Sequence, residues 1–141
     1  MPRIAVAFLV DPRGHVLLQH RDEHAPRAAN QWGMVGGHVE PGEDFEVAVY
    51  RELAEETGIA WDSGLSLWRD EELYAGTTQL HRFQVWAAPT DLTDADIVVG
   101  EGRQIVFVDP AHVPGLRMGE VAAYFVHAFL ASDTYRALAA G

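Results

Sequence analysis

The sequence predicts an α/β fold in which a mixed β-sheet is covered on both faces by helices. Short apolar runs separated by turn residues occur before, between and after two helix-like segments, and neighbouring runs are close enough to pair as hairpins. The 141 residues fit a single domain, 1–141, without an internal repeat or linker. An all-α or all-β fold would leave some of these segments unexplained.

The first strands are predicted to form a hairpin that is followed by a glycine-rich strand. The apolar run Ile4 to Val10 ends at Asp11-Pro12-Arg13-Gly14, a strong turn signal, and the run His15 to Arg21 follows it. Residues 22–31 are polar and predict a loop. Trp32 to Val39 contains three glycines, so we expect an extended segment whose backbone lies close to another group.

The central helix has start and stop signals in the sequence. Pro41-Gly42 predicts a turn, and Asp44 is expected to be the N-cap of a helix that runs to about Thr57. Gly58 is expected to end this helix in the left-handed conformation. Apolar residues lie on several sides of the helix, which predicts that it is buried between layers with its charged side in a cleft.

The second half of the chain predicts three more strands and a closing helix. Strands are expected at about Leu65 to Leu73 and Gln79 to Ala88, and a polar, acidic loop covers Pro89 to Gly102. Gln104 to Val108 predicts a last short strand. Met118 to Ala131 has the apolar periodicity of a helix.

The charge of the chain limits its partners. The formal net charge is −11, from 21 acidic residues and ten arginines without a lysine. Such a protein repels the phosphate backbone, so we expect no duplex nucleic acid partner. A phosphate-bearing ligand is compatible with this charge when cations lie between the two. The absence of cysteine excludes disulfides, thiolate zinc sites and cysteine nucleophiles.

The apolar runs are too short for a membrane span or a secretory signal. No stretch approaches the roughly 20 apolar residues that a spanning helix needs, and the run Met1 to Val10 has no small-residue cleavage site. We therefore expect a cytoplasmic protein without a membrane partner. The sequence is compatible with a homodimer.

Three glutamates of the central helix indicate a metal site. Spacings of three and four place Glu52, Glu55 and Glu56 within about 100° of arc on one helical face, where like charges destabilise a bare helix by about 0.2–0.5 kcal/mol per pair. A solvated acidic face is the ordinary alternative. In a cleft, however, the carboxylates need counter-charge, and Arg51 alone cannot balance them. Oxygen ligands without histidine or cysteine favour Mg²⁺ or Mn²⁺, which can bridge the helix to an anionic substrate and activate water.

The segment around these glutamates resembles the signature of the Nudix hydrolase superfamily. That signature is a glycine, five residues, a glutamate, seven residues, and then Arg-Glu-aliphatic-x-Glu-Glu-x-Gly-aliphatic. The matching residues are Gly37, Glu43, Arg51, Glu52, Leu53, Glu55, Glu56, Gly58 and Ile59. The order of elements around the signature is similar to that of small MutT-like members. The resemblance implies an α/β/α sandwich and hydrolysis of a nucleoside diphosphate linked to another group.

The resemblance also implies roles for individual residues. Glu52, Glu55 and Glu56 would be metal ligands, and Gly37 would contribute its carbonyl. Arg51 would orient a neighbouring glutamate, and Glu43 would support the loop and helix electrostatically. The base that activates water differs among members. Glu52 is one candidate, and Glu101 is the other, since relatives often place an additional catalytic or metal-binding glutamate there.

Four residues are candidates for substrate contact. Arg21 is at a position where relatives contact phosphates, and a salt-bridged surface arginine is the alternative. Asn30 and Trp32 precede the glycine segment and are candidates for a base pocket, although Trp32 is also suited to packing beneath the loop. His38 adjoins Gly37 and is a candidate for facing the phosphates. The remaining histidines, including His81, are interpreted as ordinary residues at the edge of the core.

The sequence says less about the substrate. A (deoxy)nucleoside triphosphate, including an oxidised one, is the leading hypothesis. ADP-ribose or another nucleotide sugar is the alternative, although relatives that cleave ADP-ribose often carry a proline where this chain has Tyr74 and Ala75. A binding domain that holds a nucleotide without hydrolysing it is a further alternative, although such relatives usually lack one of the glutamates.

Overall fold

The computed structural model describes residues 1–24, 29–76, 78–100, 102 and 104–141. The strands are β1 (Arg3–Val10), β2 (Val16–His20), β3 (Trp32–Gly33), β4 (Val35–His38), β5 (Ser66–Ala75), β6 (Gln79–Pro89) and β7 (Gln104–Val108). The helices are α1 (Phe45–Thr57), α2 (Glu120–Leu130) and α3 (Asp133–Ala140), with short 3₁₀ helices at Asp94–Asp96 and Pro110–Gly115. None of the helices in these ranges is long and apolar enough to cross a membrane.

The sheet is mixed, and it divides along one edge of β1. Strand β6 pairs in parallel with β1 from Arg3 to Val10, so it occupies one edge of β1 completely. The other edge is shared, because β4 pairs with residues 4–7 and β2 pairs at Val10. The strands β2 and β4 therefore diverge, and β3 and β7 extend the β2 branch. This divergence is the part of the sheet around which the candidate site is built.

Each face of the sheet is covered by an apolar core, as predicted. Alternate residues of β1 point to opposite faces. Ala5, Ala7 and Leu9 belong to the core beneath α1, whereas Val6 and Phe8 belong to the core beneath α2 and α3. We call these two faces the α1 face and the α2 face. An α/β/α sandwich with a mixed sheet is confirmed.

The helix α1 begins and ends where the sequence predicts, but its burial differs from the prediction. Asp44 is at the N-cap position, and Gly58 ends the helix with φ +77°. Burial between layers was expected from apolar residues on several sides, and this expectation was wrong. Val47 is 57% exposed and Ala54 is also exposed, so α1 buries one side only. The charged residues lie where that buried side meets the glycine strand.

The helix α3 was not predicted from the sequence. Ser132 caps its N-terminus by accepting a hydrogen bond from the backbone N–H of Tyr135 at 3.1 Å. The Tyr135 hydroxyl donates to the carbonyl oxygen of Gly14 at 2.6 Å, and the Tyr135 ring packs edge-on against Phe129. The final helix thus holds the β1–β2 turn and covers part of the α2-face core.

Candidate active site

A single guanidinium organises the acidic side of α1. Arg51 donates two hydrogen bonds to the Glu43 carboxylate, from Nε at 2.8 Å and from Nη2 at 2.9 Å. Its Nη1 lies 3.1 Å from Glu52 Oε1 and 3.2 Å from Glu55 Oε2. Its Nη2 also donates to the His38 carbonyl at 3.1 Å. Arg51 therefore links the loop before α1, the helix and the end of β4. We call Glu43, Arg51, Glu52, Glu55 and Glu56 the carboxylate cluster.

The pairing between Arg51 and Glu43 fixes their charges. Hydrogen bonding from Arg51 lowers the pKa of Glu43 from 4.5 to about 2, and the backbone N–H of Glu40 adds to this effect. The same hydrogen bond raises the pKa of Arg51 above its usual value. Bidentate pairing of this kind is geometrically specific as well as strong. Glu43 therefore holds Arg51 in position beside the other carboxylates.

Two glycines of β4 bring the backbone against the cluster. A Cβ atom on Gly37 would lie 2.8 Å from Cδ of Glu52, closer than real contacts allow. The backbone N–H of Gly36 donates to Glu56 Oε2 at 3.2 Å. The expectation that the glycine segment passes close to another group is therefore explained, since that group is the pair of α1 carboxylates. Only a residue without a side chain fits at position 37 in this arrangement.

The three helix glutamates differ in exposure although they share one helical face. Glu56 is 6% exposed, and the Glu52 side chain is 14% exposed, whereas the Glu55 side chain is 59% exposed. Burying a carboxylate costs free energy unless it is hydrogen-bonded or paired. The carboxylates of the cluster thus range from the buried Glu56 beside β4 to the exposed Glu55. An ion from solvent can approach the cluster from the Glu55 side.

The chemistry of the cluster fits a hard divalent cation, but in this structure its carboxylate oxygens accept hydrogen bonds from protein groups. Carboxylate oxygens and a backbone carbonyl are the ligands that Mg²⁺ and Mn²⁺ accept. Within residues 1–24, 29–76, 78–100, 102 and 104–141, no three acidic or histidine side chains are close enough together to hold a metal ion. Arg51 occupies oxygens of Glu52 and Glu55, and Gly36 contacts Glu56. The ligand roles of Gly37, Glu52, Glu55 and Glu56 remain predictions.

A loop segment is tied to the C-terminal end of α1. The backbone N–H of Val98 donates to the Thr57 carbonyl at 3.0 Å, and that of Gly100 donates to the Glu56 carbonyl at 2.8 Å. A Cβ atom on Gly100 would lie 2.1 Å from the carbonyl oxygen of Glu55. Carbonyls at the end of a helix need such partners. The predicted catalytic or metal-binding residue Glu101 follows directly in the sequence and lies outside the described residues.

A cavity of about 880 Å³ opens on the α2 face of the sheet. In the antiparallel pair, Ile4 lies opposite His38, and Ala5 lies opposite Gly37. Directly opposed residues share a face of the sheet, so His38 belongs to the α2 face, whereas Gly37 belongs to the α1 face with Glu52. The cavity and the carboxylate cluster therefore meet at β4 from opposite sides. A volume of this size is typical of a small-molecule site.

Three of the four predicted substrate residues line this cavity. Arg21, Trp32 and His38 are among its lining residues, together with apolar side chains of β1, β6 and α2. The Trp32 ring also stacks on His20, with centroids 4.7 Å apart and planes 2° apart. Trp32 therefore both packs against the protein and lines the cavity. Asn30 is exposed in a left-handed turn, φ +61°, and does not line the cavity.

The cavity contains polar residues that sequence reasoning missed. His81 is 7% exposed and lines the cavity, and Glu120 lines it from the first turn of α2. Phe83 is 4% exposed and also lines the cavity. The alternation of His81 and Phe83 along a strand was a signal that they share one face. It could not show that the face carries a cavity.

Comparison with known proteins identifies the class to which this fold and site belong. The model of the NUDIX domain matches residues 1–129, and this chain therefore belongs to the Nudix family. The chain is 32% identical to the CTP pyrophosphohydrolase of Escherichia coli over 115 residues, covering 65% of this chain and 84% of that protein. It is 47% identical over 58 residues to the RNA pyrophosphohydrolase of Caulobacter vibrioides, covering 41% of this chain and 32% of that protein.

The fold agrees with solved structures over nearly the whole chain. The MutT protein from Methanosarcina mazei superimposes with a TM-score of 0.72 at 21% identity, covering 97% of this chain and 91% of that one. Similarity at this identity establishes the fold. The chain spans about a third of the length of the RNA pyrophosphohydrolase that it matches. The family resemblance read from the signature residues is confirmed.

Proposed function

We propose that this protein is a Nudix hydrolase that cleaves a phosphoanhydride bond in a nucleoside diphosphate-linked substrate, with Mg²⁺ or Mn²⁺ as cofactor. The substrate we propose is a (deoxy)nucleoside triphosphate or an oxidised nucleotide. The main support is the close approach of the Gly37 backbone to Glu52, which leaves no space for a Cβ atom. This arrangement places the Gly37 backbone beside the Glu52 carboxylate, and backbone carbonyl and carboxylate oxygens are the ligands that a hard cation takes. The pyrophosphohydrolase names of the two relatives agree with it.

In this proposal, some residues of the site position the carboxylates, and one glutamate accepts a proton. Glu43 holds Arg51, and Arg51 in turn holds Glu52 and Glu55, so the carboxylates are preorganised. A divalent cation bound there would polarise the phosphoryl group and lower the pKa of a bound water. Glu52 or Glu101 would accept the proton of the attacking water. Replacing each with glutamine, and comparing the pH profiles of kcat, separates these two candidates.

The cavity would receive the nucleoside part of the substrate. It adjoins the cluster at β4, where the His38 carbonyl accepts from Arg51. Trp32 and Phe83 offer aromatic surface, and Arg21 offers a positive charge for phosphate. Because the protein carries a net charge of −11, a bound cation would also reduce its repulsion of a triphosphate.

The test is hydrolysis of a nucleotide panel with Mg²⁺ or Mn²⁺. The panel contains ribo- and deoxynucleoside triphosphates, oxidised guanine triphosphate and ADP-ribose, and released monophosphate, phosphate and pyrophosphate are measured. We expect a nucleoside triphosphate to yield the monophosphate and pyrophosphate, and the Glu56→Gln variant to serve as the inactive control. Nucleotides that bind but stay intact would instead indicate a binding domain. Faster cleavage of ADP-ribose would indicate a nucleotide-sugar pyrophosphatase.

Location and further partners remain proposals. We propose that the protein is located in the cytoplasm and binds no duplex nucleic acid, because its net charge is strongly negative and its apolar runs are short. Whether the chain forms a homodimer is measured by light scattering at the concentrations used for activity. Salt-dependent binding to a DNA duplex would contradict the partner proposal.

A further inference from the structure

We propose that Arg3, which lies outside the signature segment, positions the carboxylate cluster by holding the turn that carries Glu43. This inference rests on the proposed function in one respect, that the cluster is the catalytic site. Arg3 lies 40 and 37 positions before the two residues whose carbonyls it contacts, Glu43 and Glu40. Because it acts through Glu43 and Arg51, it is a positioning residue.

The place of Arg3 in the sheet puts it beside this turn. It is the first residue of β1, and Ala5, two positions further on, belongs to the core beneath α1. Side chains alternate along a strand, so Arg3 lies on the α1 face as well. Its backbone carbonyl accepts a hydrogen bond from the N–H of Val39 at 2.9 Å, just beyond the end of β4. The strand pairing therefore brings Arg3 to the start of the connection between β4 and α1.

The guanidinium of Arg3 contacts both ends of the turn at residues 40–43. Its Nη1 donates to the carbonyl oxygen of Glu43 at 2.9 Å, and its Nη2 donates to that of Glu40 at 3.0 Å. The Glu40 carbonyl also accepts from the backbone N–H of Glu43 at 2.9 Å, which closes the turn. A planar guanidinium holds two acceptors at a fixed spacing, whereas an ammonium group is a single point charge. Arg3 therefore fixes the turn relative to the sheet.

The same turn carries the carboxylate that holds Arg51. Glu43 Oε1 accepts from the backbone N–H of Glu40 at 3.0 Å, and Glu43 Oε2 accepts from Arg51 Nε at 2.8 Å. Arg51 Nη1 in turn donates to Glu52 Oε1 at 3.1 Å. Charged groups thus form a continuous series of hydrogen bonds from Arg3 to the helix carboxylates. A shift of the turn should displace those carboxylates, because each of these bonds is directional.

The ring of Phe45 allows two arginines to be compared. The Arg3 guanidinium lies over this ring at 5.5 Å from its centroid, and that of Arg82 lies over it at 5.1 Å. The two arginines are also register partners in β1 and β6. Both contacts can stabilise the first residue of α1. The Arg82 side chain, however, donates to Asp70 of β5, at 3.0 and 2.6 Å. Arg82 is therefore a matched control for the ring contact.

The test is the solvent exchange rate of the Arg51 Nε–H, measured by ¹⁵N NMR on the full chain without metal or nucleotide. This hydrogen is bonded to Glu43, so its exchange reports how firmly the pair is held. Its signal is assigned as the one that Arg51→Lys removes. We expect Arg3→Met to accelerate this exchange at least about fivefold, because the turn loses two hydrogen bonds to the sheet. Arg82→Met should leave it unchanged.

A second signal separates this effect from general destabilisation. The Nε–H of Arg13 donates to Asp11 at 3.0 Å in the turn between β1 and β2. It should exchange at the wild-type rate in Arg3→Met, since only the 40–43 turn is loosened. Arg3→Lys retains the charge and the aliphatic stem, and it provides the comparison if Arg3→Met does not fold. We expect it to accelerate the Arg51 exchange about two- to threefold, because one ammonium replaces the two arms of the guanidinium.

Activity gives a second readout of the same role. Arg3 lies on the opposite face of the sheet from the cavity, so its loss should displace the carboxylates and spare the contacts of the nucleoside. We expect Arg3→Met to lower kcat about tenfold with KM within about twofold. In a Glu43→Gln background the series of hydrogen bonds is already broken, and Arg3→Met should then lower kcat little further.

Several results would overturn the inference. These are an unchanged Arg51 exchange rate in both Arg3 variants, equal acceleration at Arg51 and Arg13, an equal response to Arg82→Met, or additive losses of kcat from Arg3→Met and Glu43→Gln. The exchange measurement needs neither metal nor turnover, so its outcome is independent of the hydrolysis assay. A protein in which Arg3 controls the Arg51 exchange but which hydrolyses nothing would support the inference and contradict the proposed function.

Discussion

The carboxylate cluster and the cavity lie on opposite faces of the sheet, and they are assembled in different ways. The cluster and the glycines that lie against it come from residues 36–56, which form one strand, one loop and one helix in immediate succession. The cavity is drawn from segments as far apart as Ile4 and Ala122. A site built from local segments is encoded as a motif, whereas one built from distant segments depends on the whole fold. The cluster should therefore tolerate substitution poorly, and the cavity should allow a change of ligand preference.

The largest expected effect is a loss of activity without a loss of folding, in a variant of the carboxylate cluster. Glu56→Gln removes the charge of the most buried helix glutamate while it keeps the shape of the side chain. We expect kcat to fall at least about 100-fold with little change in the far-ultraviolet circular dichroism, because the proposed metal ligand would be lost. Glu46→Gln, an exposed residue of the same helix, is the control and should keep its activity. Full activity in Glu56→Gln would contradict the metal assignment.

The next effect tests the contact between strand and helix. Gly37→Ala places a Cβ 2.8 Å from the Glu52 carboxylate, so that carboxylate has to move. We expect kcat to fall about 10- to 100-fold, since a displacement of about 1 Å in a catalytic group can cost that much. Gly115→Ala is a matched control, because a Cβ there meets nothing within 4 Å. Equal rates in the two variants would show that Glu52 does not need its observed position.

A third prediction concerns the response of the fold to divalent ions. Mg²⁺ or Mn²⁺ that binds the native cluster should raise the melting temperature, and saturation at 100 times the Kd stabilises by about 2.7 kcal/mol. This corresponds to several degrees for a domain of this size. The shift should be largely lost in Glu56→Gln and kept in Glu46→Gln. A melting temperature that millimolar Mg²⁺ and Mn²⁺ leave unchanged would count against the cluster as a cation site.

The smallest effect concerns the pairing of Glu43 with Arg51. The pKa of Glu43 is about 2 in the folded protein and 4.5 in a model peptide, so the unfolded chain takes up a proton first on acidification. The pairing therefore contributes full stability above about pH 5, and that contribution is lost as the pH falls toward 2. Urea unfolding at several pH values should show a weaker acid dependence in Glu43→Gln. Glu46→Gln should follow the wild-type curve, and identical curves for all three proteins would refute the assignment.

The predictions from sequence succeeded where an interaction is local. The spacing of Glu52, Glu55 and Glu56 and the caps Asp44 and Gly58 depend only on helix geometry, so the limits of α1 follow from the residues themselves. The neighbouring strands were also predicted within a few residues, because local apolar runs and turn residues mark where they begin and end. The unequal burial of the three glutamates could not be predicted, because it depends on where β4 lies against the helix.

The parts that sequence reasoning missed depend on contacts between distant segments. His81 was interpreted as an ordinary residue at the edge of the core, and nothing in its neighbourhood along the chain shows that α2 and β3 enclose a cavity beside it. The helix α3 was missed because it has only eight residues and its apolar side chains are only partly buried, although Ser132 was available as a capping signal. Both follow from the tertiary arrangement more than from local propensity.

The packing of α3 bears on how shortened versions of this protein should be designed. The family match ends at residue 129, but Tyr135 holds the Gly14 turn and packs on Phe129, so the folded unit extends beyond the recognised domain. Cutting at the apparent family boundary would uncover aromatic surface and remove the hydrogen bond to the β1–β2 turn, favouring aggregation during expression. A purification tag is therefore better joined after Gly141 through a spacer than substituted for the last helix.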